Sequence, residues 1–163
     1  PKDAQIREVR ADPVEMAALV KLWQTNRPAA MQGVIWYRLP VSVDNLNWRW
    51  PTLGAIVGAG SLRESLRVES RRVEAGLVEI NLVNDGTLDI SSRLAVEVRW
   101  PRAGGARLVA GDGLNGFTLR DQDAATVQFQ NGSGYRHPAG ESLPLGWLRF
   151  DRDGEVQVEI KRN

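Results

Sequence analysis

Trp36, Tyr37, Trp48 and Trp50 fall close together in this sequence, with Arg38, Asp44 and Asn47 interleaved among them. Flat aromatic faces stack on sugar rings or nucleobases, and Arg and Asn add directed hydrogen-bond donors. If the first pair ends a parallel strand, the cluster lies where α/β folds hold their ligands, outside the carboxyl ends of the strands. The candidate ligand-binding set is therefore Trp36, Tyr37, Arg38, Asp44, Trp48 and Trp50. The same tryptophans could instead cement the N-terminal part of the chain to the remainder, and spacing alone leaves both readings open.

Other residue types are less productive. A glycosidase needs two carboxylates flanking the scissile bond. Glu8, next to Arg7, and Asp44 could supply them, although nothing in the spacing makes them converge. Asp151-Arg152-Asp153-Gly154-Glu155 opens like a calcium loop, but the twelfth position falls on Arg162 where a bidentate Glu is required. A hairpin turn between Phe150 and Val156 is the expectation there. Gly111-Asp112-Gly113 and Gly132-Ser133-Gly134 lack the strand-to-helix setting of a phosphate loop. His137 sits in a polar stretch near Ser133 and Ser142, with no nucleophile elbow, and is expected to be an exposed loop histidine. The chain has no cysteine and one histidine, so thiol chemistry, zinc–thiolate sites and multi-histidine metal sites are excluded. No cofactor is expected.

The elements that must position these groups read as two regions. Residues 1–60 carry a strand over 5–10, then Asp12-Pro13-Val14-Glu15, which is a helix start with Asp12 as N-cap and Pro13 at the first turn. Met16, Leu19, Val20 and Trp23 follow at helical spacing, fading near Thr25. Met31 to Pro40 has a continuous apolar middle, the pattern of a strand buried on both faces. Thr52 to Val57 reads as a short helix ended by Gly58. This is strand, helix, strand, helix, the grammar of a parallel sheet.

From Ser61 the period becomes two. Leu66 and Val68, then Val78, Ile80 and Leu82, then Leu94, Val96, Val98 and Trp100 alternate with polar residues. Leu88 and Ile90 follow the turn at Asn84-Asp85-Gly86. Phe117 and Leu119, Val127 and Phe129, Leu145 and Trp147, and Val156, Val158 and Ile160 complete seven or eight short strands, a β-sandwich pattern. The fold class expected is α+β, a βαβα segment over 1–60 followed by an antiparallel β-sandwich over 61–163. One strand-helix-strand unit cannot cover both faces of a parallel sheet. The first region is therefore expected either to pack on the sandwich or to be the end of a larger α/β, barrel-like domain, which suits a chain opening at Pro1.

Composition bounds the partners. Lys plus Arg is 21 against 20 acidic residues, for a net charge of +1. That is not the basic excess of a dedicated nucleic-acid binder, and no apolar run reaches the length of a membrane span. All but three of the basic residues are Arg, which fits either carboxylate recognition or an Arg-favouring codon bias.

The stretch Gly33 to Val41, continued by Asp44 and by Asn47-Trp48-Arg49-Trp50-Pro51-Thr52-Leu53, resembles the bacterial family called domain of unknown function 3142. Gly111-Asp112-Gly113-Leu114 and Leu145-Gly146-Trp147 resemble it less specifically. The resemblance implies a C-terminal part of a longer exported protein, in the cell envelope or periplasm, following an α/β region. It assigns no functional residue. Two functions stay open. One is a non-catalytic module binding a glycan or another protein; the other is the end of a glycosidase-like barrel enzyme using Trp36, Tyr37, Arg38 and Glu8.

Overall fold

The structure is a computed structural model that describes residues 10–41, 47–58, 60–102 and 105–162. Among these residues two helices, α1 (Pro13–Thr25) and α2 (Trp50–Val57), precede eight strands. The strands are β1 (Leu66–Glu74), β2 (Leu77–Asn84), β3 (Leu94–Arg99), β4 (Leu108–Gly113), β5 (Phe117–Asp123), β6 (Thr126–Asn131), β7 (Ser142–Phe150) and β8 (Gln157–Arg162). They pair antiparallel into two four-stranded sheets, β1-β2-β7-β4 and β5-β6-β3-β8. The result is a β-sandwich, with β1 running beside β8 and β4 beside β5 along its flanks.

The alternating rows read from the sequence form its core. Val78, Ile80 and Leu82 of β2 face Val96 and Val98 of β3 and Val127 and Phe129 of β6, all buried. Each such side chain, fully withdrawn from water, contributes roughly 1.5–3 kcal/mol. Trp100 and Phe150 close one end edge-to-face, with ring centroids 5.2 Å apart.

Three local expectations fail, each for a physical reason. Trp147 does not share the core with Leu145. The register against β2 skips Leu145, pairing Ile80 with Gly146 and Asn81 with Pro144. This bulge puts Leu145, Leu148 and Phe150 inside, while Trp147 lies opposite Glu79 and stays only partly covered. Residues 151–156 do not make a hairpin, because β7 and β8 belong to different sheets and the turn crosses between them. Leu88 and Ile90 form no strand; only Ile90 pairs, in one isolated bridge with His137.

The larger correction concerns the βαβα segment. Both helices form where expected, and Asp12 caps α1 by accepting from Val14 N (2.8 Å) and Glu15 N (2.9 Å). The predicted strand over 5–10 lies outside the described residues except for Arg10, which is not in a strand. Residues 31–41 form no strand, and Ile35 and Tyr37 are 95% and 94% exposed. No described segment pairs with this stretch, and Arg38 adopts φ 66°, which breaks any extended run. An apolar pattern makes a strand only where a neighbouring strand takes its hydrogen bonds.

Candidate functional site

The helical segment docks on one end of the sandwich through a few named contacts. Ile90 and His137 exchange backbone hydrogen bonds, 2.9 Å from Ile90 N to His137 O and 2.8 Å in return. This sets Asp89 beside Arg136, whose guanidinium grips the carboxylate. Asp89 also accepts from Ala139 N at 2.8 Å. The same guanidinium donates to the Asn47 carbonyl at 3.3 Å, reaching the segment before α2. Arg49 approaches Glu141 at 3.9 Å, and Pro51 rests on Gly140. Gly140 has φ 74°, and a Cβ there would stand 2.9 Å from the Pro51 ring, so only glycine fits both demands.

Between these contacts lies a groove of about 600 Å³. Trp36, Tyr37 and Arg38 form one wall, with Arg10 and the start of α1. Asn47, Trp48, Thr52 and Leu53 form the α2 side, and Asp89, Ser91 and Arg136 form the sandwich rim. Asn47 ties the two parts of the cluster together, donating from Nδ2 to Arg38 O at 3.0 Å while its Oδ1 accepts from Trp48 N at 3.1 Å. Trp36 and Trp48 are half-buried and Tyr37 is open to solvent. The groove thus joins aromatic faces to guanidinium, amide and hydroxyl groups.

Four of the six predicted ligand-binding residues, Trp36, Tyr37, Arg38 and Trp48, line the groove. Trp50 does not; it is 60% exposed at the first turn of α2. Asp44, like Glu8, lies outside the described residues. The sandwich residues Asp89, Ser91 and Arg136 were not read from the sequence, because they sit in connections with no periodicity and reach the groove only through the strand order. Of the described carboxylates in the groove, Asp12 caps α1 and Asp89 is engaged by Arg136 and Ala139 N.

The family pattern described as Domain of unknown function (DUF8456) matches residues 67–151, just over half of the sequence. The chain belongs to that family. The DUF8456 match runs from β1 to the end of β7, so the tryptophan-rich stretch that resembles domain of unknown function 3142 lies outside it, and that more specific assignment is not the one found. No curated protein matches the chain. Two solved structures are loosely similar. The chitin-binding domain of a chitinase from Pyrococcus furiosus covers 61% of this chain and 95% of its own, at 14% identity and TM-score 0.35. A cohesin of scaffoldin B from Acetivibrio cellulolyticus, in complex with a dockerin, covers 61% and 82%, at 13% identity and TM-score 0.39. Such scores do not establish a shared fold, and the sandwich rests on its own strand pairing.

Beneath the groove, the DUF8456 region holds a buried polar network. His137 is fully buried, not the exposed loop histidine expected from its polar neighbours. Its Nε2 lies 3.2 Å from Glu141 O, a carbonyl that can only accept, so Nε2 carries the proton and Nδ1 accepts from the Tyr135 hydroxyl at 2.9 Å. Burial pushes the imidazole pKa below its ordinary value, outweighing the Glu141 carbonyl and the Glu141 and Asp89 charges that raise it. Burial likewise pushes the Tyr135 phenol up. Asn84, also fully buried, donates to Leu88 O at 2.8 Å and accepts from Gly86 N at 2.9 Å. These groups are satisfied by the Tyr135 hydroxyl and by backbone atoms, and they serve the fold.

A second cleft of about 730 Å³ opens at the other end of the DUF8456 sandwich, between β1 and β8, lined by Arg72, Val78, Trp100 and Val156 among others. Its tryptophan belongs to the core against Phe150. Arg72 is tied to Gly154 O at 2.9 Å and to Asp153 at 3.3 Å. Its principal aromatic and guanidinium groups are thus already engaged.

Proposed function

We propose that this chain is a non-catalytic binding module of the bacterial cell envelope that takes a glycan in the groove between its helical segment and the sandwich. The observation that carries this reading is the convergence of Trp36, Tyr37 and Trp48 with Arg38, Asn47 and Ser91 on one open groove. Aromatic faces stack on the apolar faces of sugar rings, and the surrounding amide, hydroxyl and guanidinium groups suit their hydroxyls. A glycosidase needs two carboxylates placed for proton transfer and attack, and among the described residues the two carboxylates of the groove, Asp12 and Asp89, are already engaged.

A protein partner is the second reading, favoured by the exposed apolar row Val34, Ile35, Leu39 and Val41 on the same segment. Calorimetric titration of the full chain with cellohexaose, chitohexaose, xylohexaose and hexagalacturonate separates the two. The glycan reading expects at least one of these to bind, and Tyr37→Ala to abolish that binding without moving the melting temperature. If no sugar binds, the glycan reading falls and the protein reading stands.

A further inference from the structure

Residues 136–141 end the connection from β6 to β7. Three ties to the helical segment start there: Arg136 donates to Asn47 O, Gly140 carries the Pro51 ring and Glu141 faces Arg49. α1 and α2 pack chiefly on one another, so these ties bear directly on where α2 sits. The connection is itself braced from within. His137 Nε2 donates to Glu141 O, four residues on, at 3.2 Å, and the same carbonyl accepts from Asn84 N at 2.9 Å. His137 Nδ1 accepts from the Tyr135 hydroxyl at 2.9 Å. On its outer side, Ala139 N donates to Asp89 at 2.8 Å and Gly140 N to Asn84 O at 2.9 Å. The single imidazole of the sequence is thus fully buried at the centre of the element that mounts α2.

We propose that residues 136–141 form an acid-operated latch: a proton taken up at His137 Nδ1 opens this connection and releases α2, and with it one wall of the groove. Protonation turns Nδ1 from an acceptor into a donor, facing a hydroxyl that until then donated to it. The Tyr135 proton must leave that contact, and a cationic ring is left withdrawn from water. The charged groups around the ring are Asp89 and Glu141, which favour its charge. Each already meets a guanidinium, Arg136 at Asp89 and Arg49 at 3.9 Å from Glu141, and burial outweighs them. The closed form therefore holds the imidazole pKa below 6.5, the value regained on opening, so falling pH favours the open form by up to about tenfold per unit. Opening leaves the sandwich in place, because the strand pairing of β7 begins at Ser142 and uses none of these residues. Local openings of this kind cost less than unfolding the whole domain. The latch holds whatever the groove takes, since it concerns how the groove is assembled.

The test is amide hydrogen exchange of the full chain between pH 7.5 and 5, corrected for the intrinsic rate. It is read at the α2 amides from Leu53 to Val57 and at Val96 and Val98 in the core. The one histidine makes its ring protons an unambiguous magnetic-resonance reporter of protonation. The expected result is α2 protection that falls below pH 6.5 by up to about tenfold per unit, together with titration of the ring. The α2 amides exchange faster than Val96 and Val98 throughout. His137→Gln keeps one donor and one acceptor but cannot charge, and it removes the fall. Exchange of α2 in step with Val96 and Val98 means whole-domain unfolding and overturns the latch. Constant α2 protection overturns it too, as does a fall that persists in His137→Gln. Should that variant fail to fold, the parent decides: a loss of α2 protection centred on the ring's own midpoint supports the latch, and one centred elsewhere overturns it.

Discussion

Arg136 holds Asp89 across the rim of the groove while donating to the Asn47 carbonyl at 3.3 Å, so one guanidinium joins two sandwich connections to the segment that precedes α2. Both side chains are largely covered, and the pair exists because the Ile90–His137 bridge places their neighbours opposite one another.

Arg136→Met should therefore loosen the docked segment more than the sandwich. Loss of charge-assisted hydrogen bonds of this kind costs about 1.5–3 kcal/mol. Urea unfolding gives the size, and a double-mutant cycle with Asp89→Asn gives the coupling. Limited proteolysis should show faster cleavage between residues 31 and 49. Cleavage at the parent rate would show that the segment is held by other contacts.

Gly146 stands directly under the ring of Phe129. A Cβ there would lie 2.1 Å from Phe129 Cε1 and 2.6 Å from Asp112 O, so Gly146→Ala must displace both. Overpacking a core typically costs about 1–3 kcal/mol, and a backbone clash adds to it. Phe129→Leu should recover part of the loss, because it removes one of the two obstacles. Full additivity of the two changes in thermal unfolding would argue against the contact.

His137 gives the protein a stability slope in mild acid. Its folded pKa is lowered from 6.5 by burial, so the unfolded chain binds a proton that the native chain refuses. Its contribution is complete above the unfolded value. It is lost as pH falls from about 6.5 toward the lowered folded value, at up to about 1.4 kcal/mol per pH unit. Denaturant midpoints measured between pH 5 and 8 should fall on the acid side, and His137→Gln should flatten that fall. The lowered carboxylates act in a separate, more acidic window; Glu79, for example, is held down first by its hydrogen bond from Asn81 and then by Arg71.

The tryptophans should divide by position. Trp50→Ala, at an exposed site outside the groove, should change sugar affinity little and stability by less than about 0.5 kcal/mol. Trp48→Ala, half-buried in the groove wall, should reduce both affinity and stability, the latter by about 1–2 kcal/mol. Equal effects at the two sites, measured by titration and melting, would dissolve the groove as a binding surface.

Much of the sandwich was legible because its signal is local. Val78, Ile80 and Leu82, or Leu94, Val96 and Val98, alternate with polar residues, and a period of two fixes which side faces in. The cap of α1 was legible for the same reason, since Asp12 acts on residues two and three positions away. The signal failed where one inserted residue changed the phase. Leu145 is passed over in the pairing with β2, and Trp147 turns outward in consequence. It failed more widely at Val34 to Val41, where an apolar run read as a buried strand but pairs with no strand among the described residues.

The candidate site shows the same division. The sequence by itself determined the aromatic residue types, the helix start at Asp12 and the inward rows of the core, all properties of neighbours along the chain. The tertiary structure decided that Arg136 would meet Asp89, that His137 would be buried beneath them and that the Thr52 hydroxyl would be buried without a hydrogen-bond partner. Those relations depend on strand order and on which connections share one end of the sandwich. They link residues dozens of positions apart, and no local period carries that information.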